Sequence, residues 1–378
     1  MNPDVQKVRS LGVYLQGRRI GIINRLAGER HLFAFDEGYV DDPERPTLCL
    51  SYKGQGGGLV TAVRTFGPRL PPFFSNLLPE GHLRTYLAQK AGVNPEREFY
   101  LLAALGADVA GAVVFKPLEG GAGEDSSDRF DEDDPSYPKD VWIVKLPSSQ
   151  FPAVPENEYV MLELAKAVGI QTPGIRLVPI ADIQGLPEDA GQLKGMALAV
   201  ERFDRAADGR RIHIEDFAQV FGVFPEAKYK GHSYANIAAV LWAETGEPGT
   251  YEFVRRLVFS VLIGNGDMHL KNWSVAYPDG RLPVLSPAYD FVATVAYIPH
   301  DDLALSFGGS RSLNAITVEQ VKRFADTARL PMNRVWEIVR EMVERTADAW
   351  RRHAAKDLIP AEMLKAIDGQ IQRAIVLK

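Results

Sequence analysis

The sequence predicts an α+β protein in which strands and short helices precede a mainly helical C-terminal part. Alternating apolar residues at Gly12–Asn24 and His31–Asp36 are typical of strands. A β-rich run at Val141–Leu146 is followed by a helical pattern at Asn157–Gly169, and helical patterns dominate from Ser233 onward. The 378 residues, 46% of them hydrophobic, are enough for two or three structural units with a sizeable core.

The first third of the chain combines small strands with helices. Gly12–Asn24 alternates apolar and polar residues on both sides of a Gln-Gly-Arg turn, which predicts a hairpin. Pro79 is expected to open or kink a helix, and Ala110–Pro117 is a short apolar strand. The loop Lys53–Gly58 is rich in glycine but lacks the spacing of a phosphate-binding loop.

The negative charge of the chain is concentrated in one segment. Gly120–Asp140 is rich in Gly, Ser, Pro and Asp, so it predicts a loop or a disordered linker and marks a domain boundary. Eight acids and two bases between Glu124 and Asp140 give a net charge of −6, which equals that of the whole chain. Because no basic stripe is present, the composition gives little support to direct nucleic-acid binding.

Composition also excludes several classes of protein. No apolar run reaches the roughly 18 residues that a membrane span needs, and MNPDVQKVRS lacks the apolar core of a signal peptide. The single cysteine, Cys49, excludes an internal disulfide and a cysteine-rich zinc site. We therefore expect a soluble, cytoplasmic protein in which Cys49 is a small buried hydrophobe.

Two helices near the C-terminus have clear local signals. Thr317 and Gln320 have capping-box spacing at the start of a helix over Thr317–Arg329. Met332–Arg352 has apolar residues at helical spacing, which most simply indicates core packing.

The stretch Ile263–Thr294 contains the most informative chemistry. Its Pro-Asp-Gly turn lies between two predicted strands, Trp273–Tyr277 and Arg281–Ser286, and predicts a hairpin. Asn272 precedes the first strand and Asp290 follows the second, so the hairpin would bring their side chains together. Both supply hard oxygen ligands, which suit Mg²⁺.

The spacing of polar residues in this stretch is typical of phosphoryl transfer. Asp267 lies five residues before Asn272, which is the separation of the base Asp and the metal-binding Asn in protein-kinase catalytic loops. A nearby lysine such as Lys271 could neutralise charge on the transferred group. Lys145 ends a strand and Glu158 opens the next helix, so they could form an ion pair, or they could be a surface lysine and a helix-dipole glutamate.

Seven strings of sequence occur in a characteristic order along most of the chain: FFSNLLPEG (73–81), GAVVFKP (111–117), WIVKLP (142–147), NEY…LAKAVGI (157–170), ALAVERFDR (197–205), GNGDMHLKNWSV (264–275) and LSPAYD (285–290). In these strings the chain resembles the HipA family of serine/threonine kinase toxins from bacterial toxin–antitoxin pairs. The resemblance implies a protein-kinase-like bilobal fold with an extra N-terminal β-rich subdomain and a mostly helical C-terminal lobe. The expected domains are an N-terminal subdomain (1–118), an acidic flexible linker (119–140), the rest of the N-lobe with the ATP-binding strand and hinge (141–230), and a helical C-terminal kinase lobe with the catalytic loop and metal site (231–378).

The resemblance also implies a role for individual residues, transferred by motif match. Asp267 would be the catalytic base, and Asn272 and Asp290 would bind Mg²⁺. The residues implied at the ATP site are Lys145 on the phosphates, Glu201 and Phe203 in the hinge beside the adenine, and His269, Lys271 and Tyr289 lining the nucleotide.

Partners follow from the same resemblance. Family members phosphorylate protein serine or threonine, including aminoacyl-tRNA synthetases, and so stall translation. A small DNA-binding HipB-like antitoxin is the implied partner, with operator DNA contacted mainly through it and no membrane involved.

One family feature is absent from the sequence. A Ser-x-x-Gly-x-Gln-x-Lys segment, which cradles phosphates, is expected between GAVVFKP and WIVKLP, but Leu118–Val141 does not contain it. Natural loss, an engineered deletion or an omitted mobile loop would each explain this. Ser126 and Ser127 do not match the motif, and loss of the loop would weaken ATP binding and turnover.

Three functions therefore remain open. The first is an active Mg²⁺/ATP-dependent kinase toxin, and the second is an inactive kinase fold that serves as antitoxin partner and corepressor. The third is a metal-dependent hydrolase using Asp267, His269 and Asp290, which lacks the paired-histidine spacing of zinc sites. His213 and Asp216 could shape a cleft or be structural.

Overall fold

A computed structural model of the chain describes residues 5–54, 56–118, 141–184, 186, 193–313 and 316–375. The predicted linker at 119–140, with Ser126 and Ser127, lies outside the described residues. The chain divides into two compact units. The N-terminal unit consists of Met1–Lys139, Asp204–Lys228 and Ser274–Pro283. The second unit consists of Asp140–Phe203, Tyr229–Trp273 and Val284–Lys378 and carries the candidate site. It is called the kinase-like unit after the fold that the family resemblance implies.

The strands of the described residues are short and run from the N-terminal region to the middle of the C-terminal half. They are β1 (Ser10–Leu15), β2 (Arg18–Leu26), β3 (Arg30–Phe35), β4 (Thr65–Phe66), β5 (Val113–Pro117), β6 (Trp142–Lys145), β7 (Ile175–Pro179), β8 (Met196–Glu201), β9 (His213–Asp216), β10 (Ser274–Tyr277), β11 (Val284–Leu285), β12 (Asp302–Phe307) and β13 (Ser310–Ser312).

The longest helices follow residue 233. The helices of the described residues are α1 (Glu37–Val40), α2 (Pro72–Ser75), α3 (Gly81–Ala91), α4 (Glu98–Leu105), α5 (Val154–Ala167), α6 (Phe217–Val220), α7 (Tyr234–Ile263), α8 (Val318–Ala328), α9 (Met332–Arg352) and α10 (Ala361–Ile375). Within the described residues, none of them combines the length and apolar composition needed to cross a bilayer.

The N-terminal unit is built on an antiparallel sheet with strand order β4-β3-β2-β1-β5. The predicted hairpin is confirmed, because β1 pairs with β2 and Gln16 and Gly17 form the turn between them. Both turn residues have positive φ, as a two-residue type I′ loop requires. Buried aromatic residues, including Phe74 and Phe99, fill the core beneath the sheet.

The N-terminal unit also contains β9 and β10, which pair antiparallel with Ser274 opposite Asp216. Asp216 caps α6 by accepting the Gln219 amide, and His213 is buried with Nε2 2.7 Å from the Leu48 carbonyl. Cys49 is buried, as predicted. His213 and Asp216 therefore have structural contacts within this unit.

The kinase-like unit opens with an antiparallel sheet of order β6-β8-β7, against which α5 packs. The sequence placed the start of α5 at Asn157, but the helix begins at Val154 because Pro155 is accommodated in its first turn. Leu162, Leu164 and Ala165 are buried as expected, whereas Tyr159 is only half-buried.

Helices make up the rest of the kinase-like unit. α7 is interrupted at Gly246, which has a φ of 66°, two residues before Pro248. The predicted capping box of Thr317 and Gln320 is present at the start of α8. α9 has the bounds predicted from its apolar spacing. Of its predicted core positions Val335, Val339, Met342 and Thr346 are buried and Ala349 is half-buried.

Candidate functional site

Three charged side chains meet in the kinase-like unit. Lys145 is the last residue of β6, Glu158 lies near the start of α5, and Asp290 follows β11. The Nζ of Lys145 lies 2.6 Å from Oε1 of Glu158 and 2.5 Å from Oδ1 of Asp290. The ion pair that the sequence left open between Lys145 and Glu158 is therefore present, and Asp290 joins it.

Burial and charge compete within this cluster. The carboxyl of Glu158 is buried, and burial raises its pKa against the opposing effect of Lys145. Burial alone would lower the pKa of Lys145, but the carboxylates of Asp290 and Glu158 hold it above its ordinary value. The ammonium of Lys145 therefore stays protonated beside its two acidic partners.

The loop that carries Asp267 begins where α7 ends. Gly264 caps the helix with a φ of 70°, a conformation that suits glycine. The amide nitrogen of Asp267 donates to Oδ1 of Asn265 at 3.1 Å, and Nδ2 of Asn272 donates to the Asp267 carbonyl at 2.9 Å. These bonds fix the backbone of Asp267, while its side chain is exposed.

Asn265 connects this loop to the charged cluster. Its Nδ2 donates to the backbone carbonyl of Asp290 at 3.4 Å, while its Oδ1 accepts the amide of Asp267. The residue is 1% exposed. Sequence reasoning did not single out Asn265, although it stands within the GNGD string that carries Asp267.

The residues predicted to bind a metal have suitable donor atoms. Because Nδ2 of Asn272 is engaged with a carbonyl, its amide oxygen is the atom that remains for a cation. Asp290 has a φ of 62°, an uncommon conformation for aspartate that is often found at functional sites. These hard oxygens suit Mg²⁺. Among the described residues, no three His, Cys, Asp or Glu side chains lie close enough to share an ion, so the hydrolase alternative has no ligand cluster there.

Some of the side chains predicted to line a nucleotide contact one another in the structure. Phe203 and Tyr289 face each other with ring centroids 5.6 Å apart, and the Tyr289 hydroxyl donates to the Lys271 carbonyl at 2.9 Å. Glu201 ends β8, and its amide donates to the Gly174 carbonyl at 2.8 Å. His269 is buried, and its amide donates to the Asp267 carbonyl at 2.8 Å.

A residue that sequence reasoning missed touches the predicted base. The Tyr229 hydroxyl donates to Oδ1 of Asp267 at 2.7 Å, and its ring meets the ring of His269 edge-on at 5.0 Å. Nη2 of Arg311 donates to the Tyr229 carbonyl at 2.7 Å. No local motif marks this tyrosine, because its contact depends on a distant part of the chain.

Comparison with known families covers nearly the whole chain. The HipA N-terminal domain matches residues 11–116, and the HipA-like C-terminal domain matches residues 127–350. The second match includes every predicted site residue.

Individual relatives agree with these matches. The chain is 43% identical over 394 residues to "Putative kinase Y4dM" of Sinorhizobium fredii, covering 96% of each chain. It is 27% identical over 326 residues to the serine/threonine-protein kinase toxin HipA of Shewanella oneidensis, covering 69% of this chain and 72% of that one. A solved complex of Shewanella oneidensis HipA, HipB and operator DNA matches with a TM-score of 0.71 at 20% identity, covering 97% of this chain and 98% of that chain, which shows a shared α+β, kinase-like fold. On the family and relative matches together, the chain belongs to the HipA family.

Proposed function

We propose that this chain is an ATP- and Mg²⁺-dependent protein serine/threonine kinase. The observation that carries the proposal is the bridging of Glu158 and Asp290 by Lys145, in the unit that also holds Asp267. A strand lysine paired with a helix glutamate, together with a metal-binding aspartate, is the arrangement that protein kinases use to hold ATP phosphates. Membership of the HipA family supports the same activity.

The roles of the residues follow from their chemistry. The exposed carboxylate of Asp267 would accept the proton of the substrate hydroxyl and orient the oxygen for attack. The amide oxygen of Asn272 and the carboxylate of Asp290 would hold Mg²⁺. When bound, Mg²⁺ neutralises charge on the phosphates. Lys145 and Lys271 would add positive charge against the transferred group.

Nucleotide binding would use the remaining predicted residues. The facing rings of Phe203 and Tyr289 offer an apolar surface to the adenine, and Glu201 lies two residues from Phe203 at the end of β8. His269 would line the same site from the loop of Asp267. This set combines an apolar surface with a few polar groups, as small-molecule sites commonly do.

We further propose that the chain is the toxin of a bacterial toxin–antitoxin pair. Its structural likeness to the Shewanella complex supports a HipB-like antitoxin as partner and contact with operator DNA mainly through that partner. The protein substrate would be translation-related, such as an aminoacyl-tRNA synthetase, and the enzyme would then act in the cytoplasm.

Phosphoryl transfer from γ-labelled ATP with Mg²⁺, into the protein itself and into a bacterial lysate, tests the kinase proposal. Asp267→Ala and Asp290→Ala should each abolish labelling, whereas Asp348→Ala, an exposed aspartate on α9, should leave labelling unchanged. Labelling that survives Asp267→Ala undiminished would contradict the role of Asp267.

The alternative is a catalytically impaired kinase fold that serves as antitoxin partner and transcriptional corepressor. It is favoured by one observation, the absence of the Ser-x-x-Gly-x-Gln-x-Lys string between residues 118 and 141. Mg²⁺-dependent ATP binding without transfer would support this alternative, and robust labelling of a lysate protein would eliminate it.

A further inference from the structure

The two carboxylate oxygens of Asp267 have different surroundings. Oδ1 accepts a 2.7 Å hydrogen bond from the hydroxyl of Tyr229. Oδ2 has no hydrogen-bond partner in the part of the chain that the structure describes, and the residue is exposed. One oxygen is thus held by the protein, and the other is open to an incoming hydroxyl group.

Tyr229 is itself held from two sides. Arg311 donates to its backbone carbonyl, and its ring lies edge-on against the buried ring of His269. Because His269 is in the same loop as Asp267, the loop that carries the aspartate also contacts the tyrosine ring. The phenol hydroxyl therefore approaches the carboxylate from a defined position.

Backbone bonds alone do not fix this carboxylate. Asn265 and Asn272 hold the amide and the carbonyl of Asp267, but neither contacts its carboxylate through those bonds. An exposed aspartate side chain can turn about χ1 and χ2, and a turn of either would move the accepting oxygen. A charge-assisted bond to one oxygen restricts that turning.

We propose that Tyr229 is a positioning residue for phosphoryl transfer, because its hydroxyl holds Oδ1 of Asp267 so that Oδ2 faces the substrate hydroxyl. This inference rests on the proposed kinase function and on Asp267 as its base. Tyr229 acts through Asp267 and touches neither ATP nor the transferred group. Tyr229 orients the base, so loss of its hydroxyl lowers turnover and leaves the binding of both substrates intact.

The test compares the unsubstituted full chain with Tyr229→Phe, which removes the hydroxyl and keeps the ring against His269. Initial rates of transfer from γ-labelled ATP to lysate protein are measured with ATP and lysate protein varied in turn. Binding of ATP with Mg²⁺ is measured separately by calorimetry. Tyr251→Phe, on α7, is the matched control, and thermal unfolding checks that each variant is folded.

We expect Tyr229→Phe to lower kcat about tenfold, the effect of one hydrogen bond to a charged group, with both KM values and the ATP affinity within about twofold. Tyr229→Leu, which also loses the ring, should have a kcat within about threefold of that of the phenylalanine variant, because the hydroxyl is the group that acts. Tyr251→Phe should behave as the unsubstituted chain does.

Three outcomes would overturn the inference. An unchanged kcat in Tyr229→Phe would show that the hydroxyl does not orient the base. A raised kcat would show that Tyr229 instead blocks Asp267, and a changed acceptor KM at constant kcat would place Tyr229 on the substrate. Absence of transfer by the unsubstituted chain is distinct, since it removes the proposed function together with this inference.

Discussion

Lys145 contacts Asp290 across 145 positions of the sequence, with Nζ 2.5 Å from Oδ1. The same ammonium contacts Glu158, so one lysine at the end of β6 joins α5 to the segment after β11. Among the described ion pairs, Glu158 and Asp290 are the two acids that pair with Lys145, so the ammonium lies between their carboxylates. Substitution of a residue in this cluster should therefore have an effect that depends on which charge is removed.

Glu158→Gln should lower phosphoryl transfer about tenfold while changing the free energy of unfolding by no more than about 1 kcal/mol. Glutamine keeps the size and one acceptor of the side chain, but it removes the charge that holds Lys145 beside Asp290. Labelling rates and denaturant unfolding measure the two effects. Glu156→Gln, on the same helix, should change neither, and an equal loss of activity there would contradict a specific role for Glu158.

Asn265→Ala should destabilise the kinase-like unit by about 2 kcal/mol and lower transfer by at least about tenfold. The substitution leaves the amide of Asp267 and the carbonyl of Asp290 without their shared partner in a buried setting. Denaturant unfolding and labelling rates test this together.

A matched control for this prediction is Asn94→Ala. Asn94 also accepts a backbone amide, that of Glu96, but at an exposed turn where water can replace it. We expect a change of less than about 1 kcal/mol and normal transfer. Equal effects of the two alanine variants would show that Asn265 does not organise the site.

Elements with strong local signals could be predicted from the sequence. The turn at Gln16 and Gly17 set the β1–β2 hairpin, and the Thr317–Gln320 capping box set the start of α8. Pairing between distant segments could not be predicted in this way. β9 pairs with β10, but no local pattern indicates that Asp216 lies opposite Ser274.

The candidate site also combines residues that a local motif indicates with a residue that depends on long-range contact. The spacing of Asp267 and Asn272 and the position of Asp290 predict a phosphoryl-transfer site, because these residues lie within one short stretch of sequence. Tyr229 could not be predicted from the sequence, because its hydrogen bond to Asp267 forms only when the chain folds. The domain boundaries and the residue roles taken from the family resemblance stay predictions.

Gly266→Ala should destabilise the kinase-like unit by about 2 kcal/mol and lower transfer. A Cβ at this position would overlap the Asp301 carboxylate and approach the Asp302 carbonyl to 2.6 Å, so the loop beside Asp267 would have to shift. Thermal unfolding and labelling rates measure the effects. Gly58→Ala, whose added Cβ meets no described atom within 4 Å, should be nearly neutral, and a neutral Gly266→Ala would show that the loop adapts without cost.

His213 should make the N-terminal unit sensitive to acid. Burial lowers the pKa of its ring to about 4, against the favourable contact with the Leu48 carbonyl, and Nδ1 has no hydrogen-bond partner among the described residues. The unfolded chain protonates this histidine near its ordinary pKa of 6.5, whereas the folded protein resists protonation down to about pH 4. Acid therefore favours the unfolded state across that interval, by up to about 3 kcal/mol from this residue.

His213→Gln removes the titrating ring and keeps a donor that can reach the Leu48 carbonyl. Whatever its stability at pH 7, this variant should lose about 3 kcal/mol less of its unfolding free energy than the unsubstituted chain between pH 7 and pH 4. Urea unfolding at a series of pH values measures the difference. Exposed His82 provides the control, because His82→Gln should leave the pH dependence unchanged. Parallel pH curves for the unsubstituted chain and His213→Gln would mean that protonation of this buried ring does not drive the loss of stability in acid.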